Sequence, residues 1–549
     1  MAAALGASGS EVILIARPVS QRAWGPWVLA LLPAVFVGVW LWAPLLRLLA
    51  EGWGNSALFW WHDPYLRSKV SWTLLQALIT TGICALVGLP MAWVLARCEF
   101  KGRALWLRLL MLPFVMPTLV AAMGILALWG PRGWLAPVLS ALNIHLEDSP
   151  ALMILGHVFF NVGLVIRASV DGLARVSLQQ LSAARSLGSG PWLAFWRVEF
   201  PLMRGWLFSA LCLVFLYCFT GFGLALILGG QAWGTIEVEI YTLIAHELQL
   251  QTASILAMSM LMFTFGVAWA YAKLEQRLRV RHSVEPVVRV RPYTPALKAL
   301  VLGVHGMWWW LCGLPLLALL FKALEALAVR QAWVVWLNED TALALFNSLR
   351  FTTMGLVLAT TLGVLHALAT LALQQVNPRW ASLWRAGGYA PLLVSPVALA
   401  FGMLLMYPQW LSSLPLLVCA YALLAYPMVA RSLTSALDQL PLAYGQAART
   451  MGASPLWVFW RVTLPLVRPG LQSGMAFAAA TMLGEFAVAL FFSRPEWTTL
   501  TTLIYQHLGR PGSMNLDATW VLSASLMVFA LLVFALIDSE QTSHQRSSR

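Results

Sequence analysis

Apolar residues run nearly unbroken for about 20 positions at a time, again and again, separated by short polar breaks; runs of this length span a ~30 Å hydrocarbon layer as helices. Six such runs fall at roughly 27–49, 70–96, 107–129, 150–172, 205–229 and 252–274. Six more follow at roughly 298–322, 342–372, 386–407, 411–432, 470–493 and 517–538. Inside a bilayer every backbone N–H and C=O must be satisfied within its own segment, so the runs are expected to be helical. The pattern predicts an all-α polytopic membrane protein with about twelve transmembrane helices. The segment between the two sets, 276–297, carries Arg277, Arg279, Arg281, Arg289 and Arg291 with Pro286 and Pro292 and reads as a basic linker. The expected units are therefore 1–275, the linker 276–297, and 298–549.

Composition agrees with the pattern. Of 549 residues 60% are hydrophobic and 10% charged, against about 25% charged in a soluble protein. The net charge of +13 sits in short clusters between spans rather than in a basic domain with interleaved aromatics, which argues against nucleic acid as a partner. With the N-terminus inside, the inner segments hold roughly 26 of the 35 basic residues and the outer ones about nine, as the positive-inside rule requires. An even number of spans then places both termini on the cytoplasmic side. The stretch from Met1 to Gln21 is not expected to lead into a cleavable signal, since the run that follows is too long and has no small-residue cleavage site; that run is expected to stay as the first span. Six cysteines form no C-x-x-C pair and read as small core residues. The 29 Trp gather mostly near span ends, as an interfacial belt does.

The chain repeats itself. Positions 182–241 align without gaps on 446–505 at a constant offset of 264. The first copy reads SAARSLGSGPWLAFWRVEFPLMR (182–204) and the second QAARTMGASPLWVFWRVTLPLVR (446–468). Upstream, Arg167 matches Arg431, and Pro113 and Gly124 match Pro391 and Gly402. Because each half has an even number of spans, the halves run parallel, related by an axis along the membrane normal; inverted repeats of many secondary transporters are arranged differently.

Each repeated segment predicts two short helices at the cytoplasmic face. The first closes on Gly188 or Gly452, residues suited to a helix C-cap. The second opens at a proline, where the missing N–H costs nothing, and Pro201 or Pro465 precedes the next span. Both segments resemble the coupling loop of ABC importer permeases, which carries Glu-Ala-Ala, a Gly four positions after the second Ala, and a Pro beyond. The matching positions are Ala183, Ala184, Gly188 and Pro201, then Ala447, Ala448, Gly452 and Pro465. At the acidic position stand Ser182 and Gln446, so the loops are expected to anchor otherwise, through Arg185 and Arg449. The resemblance implies the type I importer permease fold, with coupling loops 177–204 and 441–468 seated on two copies of a cytoplasmic ATPase. It also implies a periplasmic solute-binding protein and an inner-membrane location. No G-x-x-x-x-G-K-S/T phosphate loop is present, so ATP and its Mg are expected on the partner ATPase and no cofactor on this chain, which is not expected to be an enzyme.

Polar residues within spans are candidates for the translocation path. Glu485 lies in MLGEFAVALFF; its repeat equivalent is Gly221. It reads as a contact for a cationic substrate or a polar hinge of the path, or else as a structural hydrogen bond to a neighbouring span. His157 and Asn161 are one helical turn apart and too few for a metal site. Pro117 and Pro396 mark the third span of each half, where a bend exposes carbonyls. The acidic loop 231–250, with Glu237, Glu239 and Glu247, reads equally as an outer surface to which a binding protein docks or as an ordinary solvated loop. Over most of its length the chain is similar to fused permeases for thiamine and for ferric iron. The similarity rests on GPRGWLAP (130–137), HVFFNVGLVIR (157–167), LGGQAWGTIEVEIY (228–241) and GEFAVALFFSRPEWTTLTTLIY (484–505). It implies import of thiamine, with ferric iron as the alternative; an ion-coupled secondary transporter, which would lack coupling loops, is the remoter one.

Overall fold

The computed structural model describes residues 25–53, 59–278, 287, 289–292, 294–411 and 413–547. The expectations for Met1 to Gln21 and for Arg279, Arg281 and Pro286 lie outside them. The described elements are helices, apart from one isolated bridge between Cys98 and Val290. Among the described residues ten helices are long and apolar enough to cross a membrane, and an eleventh if a bent pair is taken as one span. All six cysteines are free.

The expected third span of each half is broken. The run 107–129 is split into Arg103–Val115 and Thr118–Trp129, which meet at 103°. The break falls at Pro117, which cannot continue the preceding helix and fixes the start of the next one. Its counterpart, 386–407, divides into Pro378–Gly388, a short turn at Ala390–Leu393 and Pro396–Met406. Ser395 caps the last piece by accepting from the Ala398 N–H at 3.2 Å.

Proline shapes the other spans differently. The stretches Gly38–Trp42, Phe195–Glu199, Trp309–Gly313 and Phe459–Thr463 are π-helical, and each ends two residues before a proline: Pro44, Pro201, Pro315 and Pro465. A proline inside a helix lacks its N–H and crowds the carbonyl four residues back. Here the residue before each proline bonds the carbonyl five back instead. One wider turn absorbs the fault, and the helix continues. The second short helix of each repeated loop is therefore not a separate element, as expected, but runs on into the following span; in the first half this makes one span, Pro191–Phe219.

The first span of each half packs mainly on the other half. Trp27–Gly52 lies against Glu339–Val376 and Pro396–Met406, and Pro295–Val329 lies against Thr118–Trp129. Both contacts use the same device. A Cβ on Gly402 would stand 2.9 Å from the Pro44 carbonyl oxygen, and one on Gly124 3.2 Å from that of Pro315. Large apolar side chains such as Leu46, Leu86 and Val357 stay exposed along the spans, as a lipid-facing surface requires.

Candidate functional site

The two repeated loops are built alike from backbone upward. Leu178–Ser186 and Leu442–Thr450 are helices closed by Gly188 at φ +85° and Gly452 at φ +86°. Beyond the first, Ser189 N–H donates to Ala184 C=O and Gly188 N–H to Arg185 C=O; beyond the second, Ala453 donates to Ala448 and Gly452 to Arg449. This pair of bonds satisfies the last helical carbonyls and needs a left-handed residue, which glycine supplies at least cost. The loop tips present matched apolar side chains to the exterior: Leu187 is 88% exposed and its equivalent Met451 83%, with Trp196 and Trp460 also exposed.

Ser182, Ala183, Arg185, Gln446, Ala447 and Arg449 are exposed, Ala184 is half-buried and Ala448 buried. The expected anchoring by Arg185 and Arg449 is not found: neither makes an ion pair with a described residue. In the first half the loop is held instead by Glu199, which is buried, accepts from Arg97 Nε at 2.7 Å and Trp93 Nε1 at 3.0 Å, and has Arg97 Nη2 at an ion-pair distance of 2.6 Å. A pair buried this deeply must be complete, since either partner alone would be an uncompensated charge. The repeat equivalent of Glu199 is Thr463, so the two loops differ in how they are fixed.

Away from the loops, the two halves enclose a cavity of about 330 Å³, a size suited to a small molecule. All five path candidates line it: Pro117, His157 and Asn161 from the first half, Pro396 and Glu485 from the second. Aromatic residues Phe114, Phe160, Tyr217, Phe222 and Phe486 form much of the wall, and no Lys or Arg is among the described lining residues.

Glu485 sits where one span breaks between Leu483 and Ala487. Its Oε1 accepts from the Val488 N–H at 3.0 Å, so the carboxylate caps its own next helical turn rather than bonding to a neighbouring span. In the first half Gly221 takes its place, and the room is filled by His157, whose Nε2 would be 2.6 Å from a Cβ at 221. His157 and Asn161 are buried; Asn161 Nδ2 donates to the His157 carbonyl at 3.0 Å. Both His157 ring nitrogens and Asn161 Oδ1 are without a hydrogen-bond partner. The cavity is thus asymmetric, with a carboxylate from one half and unpaired neutral polar groups from the other.

Phe222 and Phe486, equivalent in the repeat, stack on one another at 5.9 Å between ring centres. Tyr241 braces Phe222 at 5.5 Å, and its equivalent Tyr505 braces Phe486 at 5.3 Å. Each tyrosine stands on a short helix, Ile236–Ala245 or Leu500–Gly509, whose first N–H is held by a hydroxyl on the second span of its half. Ile236 donates to Thr73 Oγ1 at 2.9 Å and Leu500 to Ser348 Oγ at 2.8 Å. The expected outer acidic loop is largely this helix. Glu237 and Glu239 are buried, not displayed, and Glu239 accepts from the Tyr65 hydroxyl at 2.8 Å. Of the three acids in that loop only Glu247 is exposed. The repeat offset could have paired Phe222 with Phe486, but no local signal announces that they touch.

Comparison with known proteins accords with this architecture. The family described as "Binding-protein-dependent transport system inner membrane component" matches twice, over residues 85–280 and 359–539. The chain is similar to the thiamine transport system permease protein ThiP of Haemophilus influenzae, 27% identical and covering 87% of this chain and 90% of that protein. It is similar to the ThiP proteins of Escherichia coli, 26% identical over 93% of this chain and 94% of that one, and of Brucella abortus, 27% identical over 95% and 96%. Matched in both repeats and over most of its length, this multi-pass chain belongs to the inner membrane components of binding-protein-dependent transport systems.

Proposed function

We propose that this chain is the permease subunit of an ATP-driven importer of thiamine. The observation that carries the reading is the pair of loops, 177–204 and 441–468, each with the same glycine-capped turn that leaves apolar side chains uncovered. Apolar surface at a defined tip is suited to insertion into a partner. Two copies of an ATPase, one per loop, would cover it, and they would carry ATP and Mg. Because each loop is continuous with a span, closure of the ATPases would swing those spans and shift the balance between states open to either side. The cavity lined by Pro117, His157, Asn161, Pro396 and Glu485 is the path in this reading, and both termini lie on the ATPase side. The units are 1–275, 276–297 and 298–549.

Thiamine is favoured over ferric iron for two reasons. The relatives that match over most of the chain are named for thiamine transport. The cavity offers aromatic walls and one lining carboxylate, which suit an organic cation. A periplasmic binding protein would deliver the solute. The test is reconstitution of the chain with its ATPase and binding protein in lipid vesicles. ATP-dependent accumulation of labelled thiamine is expected; accumulation driven by an ion gradient with no ATPase present would overturn the reading, and uptake of ferric iron but not thiamine would overturn the cargo.

A further inference from the structure

Among the described residues Glu237 is the one carboxylate whose two oxygens are both buried and both without a hydrogen-bond partner, and the residue is 0% exposed. Burial raises its pKa well above the ordinary carboxylate value; the Ser395 hydroxyl of the opposite half favours its charged form, and the like charge of Glu485 opposes it. A carboxylate held this way is costly, and a structural one would be paired. Glu239, two residues on, shows the structural solution with its bond from Tyr65. Nor does the fold require an acid at 237. The second half builds the same turn with Thr501, whose hydroxyl donates to the Glu485 carbonyl at 3.1 Å.

The position of Glu237 gives it a use. It lies one helical turn before Tyr241, on the same face of Ile236–Ala245, and Tyr241 packs on Phe222 of the aromatic stack that walls the cavity. The N-terminus of that helix is held by Thr73, which shares the span Pro64–Arg97 with the loop anchor Arg97. At 1.5 Å per residue the two are about 36 Å apart along that span, so Glu237 is remote from the loops, at the outer level. We propose that Glu237 and Glu485 form a two-step path for an organic cation, Glu237 receiving its charge on the outer side of the Phe222–Phe486 stack and Glu485 on the cavity side. When the stack opens, the cation moves from one carboxylate to the next without losing a counter-charge, and the unpaired carboxylate is the group prepared for it. This rests on the thiamine reading, since thiamine carries a fixed positive charge on its thiazolium ring.

The experiment compares wild type, Glu237→Gln and Glu237→Asp in vesicles holding the complete complex, with labelled thiamine uptake and ATP hydrolysis measured together. Glu237→Gln is expected to raise the KM for thiamine-loaded binding protein or slow uptake roughly tenfold, the effect of about 1.4 kcal/mol. Hydrolysis stimulated by the binding protein should persist, and Glu237→Asp should recover part of the uptake. Unchanged uptake in Glu237→Gln overturns the proposal and leaves the thiamine reading intact. Equal loss of uptake and hydrolysis, or failure of both variants to assemble, makes the side chain structural and also overturns it. Absence of thiamine uptake by wild type overturns both.

Discussion

Glu199 is tolerated at 3% exposure because Arg97 and Trp93 meet it with three contacts, tying the end of the span Pro64–Arg97 to the start of Pro191–Phe219. Removing one partner of such a pair costs far more than the pair contributes, about 3–5 kcal/mol. Arg97→Gln is therefore expected to lower the thermal stability of the purified protein markedly, while Arg97→Met combined with Glu199→Met recovers most of the loss. A double variant as unstable as the single one would show that the guanidinium acts through other contacts. Neither residue stands out in the sequence as a partner of the other, because Arg97 and Glu199 lie 102 positions apart with two spans between them and look like ordinary polar residues at span ends. The unpaired nitrogens of His157 and the cap made by Glu485 are likewise properties of position, not of residue type.

The elements themselves were largely legible. Runs of apolar residues marked the spans, and the prolines of both third spans marked their breaks. Four of the five π turns among the described residues carry a local cause, a proline two residues beyond; Ala225–Gly229 does not. The acidic stretch 231–250 misled because charge density suggested a solvated loop. Glu237 and Glu239 alternate with Ile236, Val238 and Ile240, and the helix buries all five. Where spans break, Phe222 and Phe486 close the cavity as a stacked pair. Such a pair contributes about 0.5–1.5 kcal/mol beyond its buried area, so its loss shifts a closed–open balance by at most about tenfold. Phe222→Ala with Phe486→Ala is expected to raise ATP-independent leak of solute from loaded vesicles by that order. A double variant as tight as wild type would place the barrier elsewhere.

At the scale of the whole molecule, the halves are one folding problem. The first span of each is seated against the other, with Pro44 on Gly402 and Pro315 on Gly124. A chain cut between residues 278 and 294 therefore yields two fragments that each lack a packing partner for a span. Either fragment expressed alone should be degraded or aggregate in detergent extracts, and co-expression should restore a stable complex by size-exclusion chromatography. A stable, monodisperse first fragment on its own would contradict this account.

The sequence by itself determined the helices, their approximate ends, the duplication, its parallel sense and the glycine-capped loops. Those follow from local rules: lipid leaves a backbone no partner but itself, and a left-handed cap admits glycine most cheaply. Only the tertiary structure decided which half receives each first span, that Glu237 is buried against Ser395 and not displayed, and that His157 and Glu485 line one cavity. Such meetings depend on close packing between segments hundreds of residues apart, and no periodicity along the chain records which apolar face will find which.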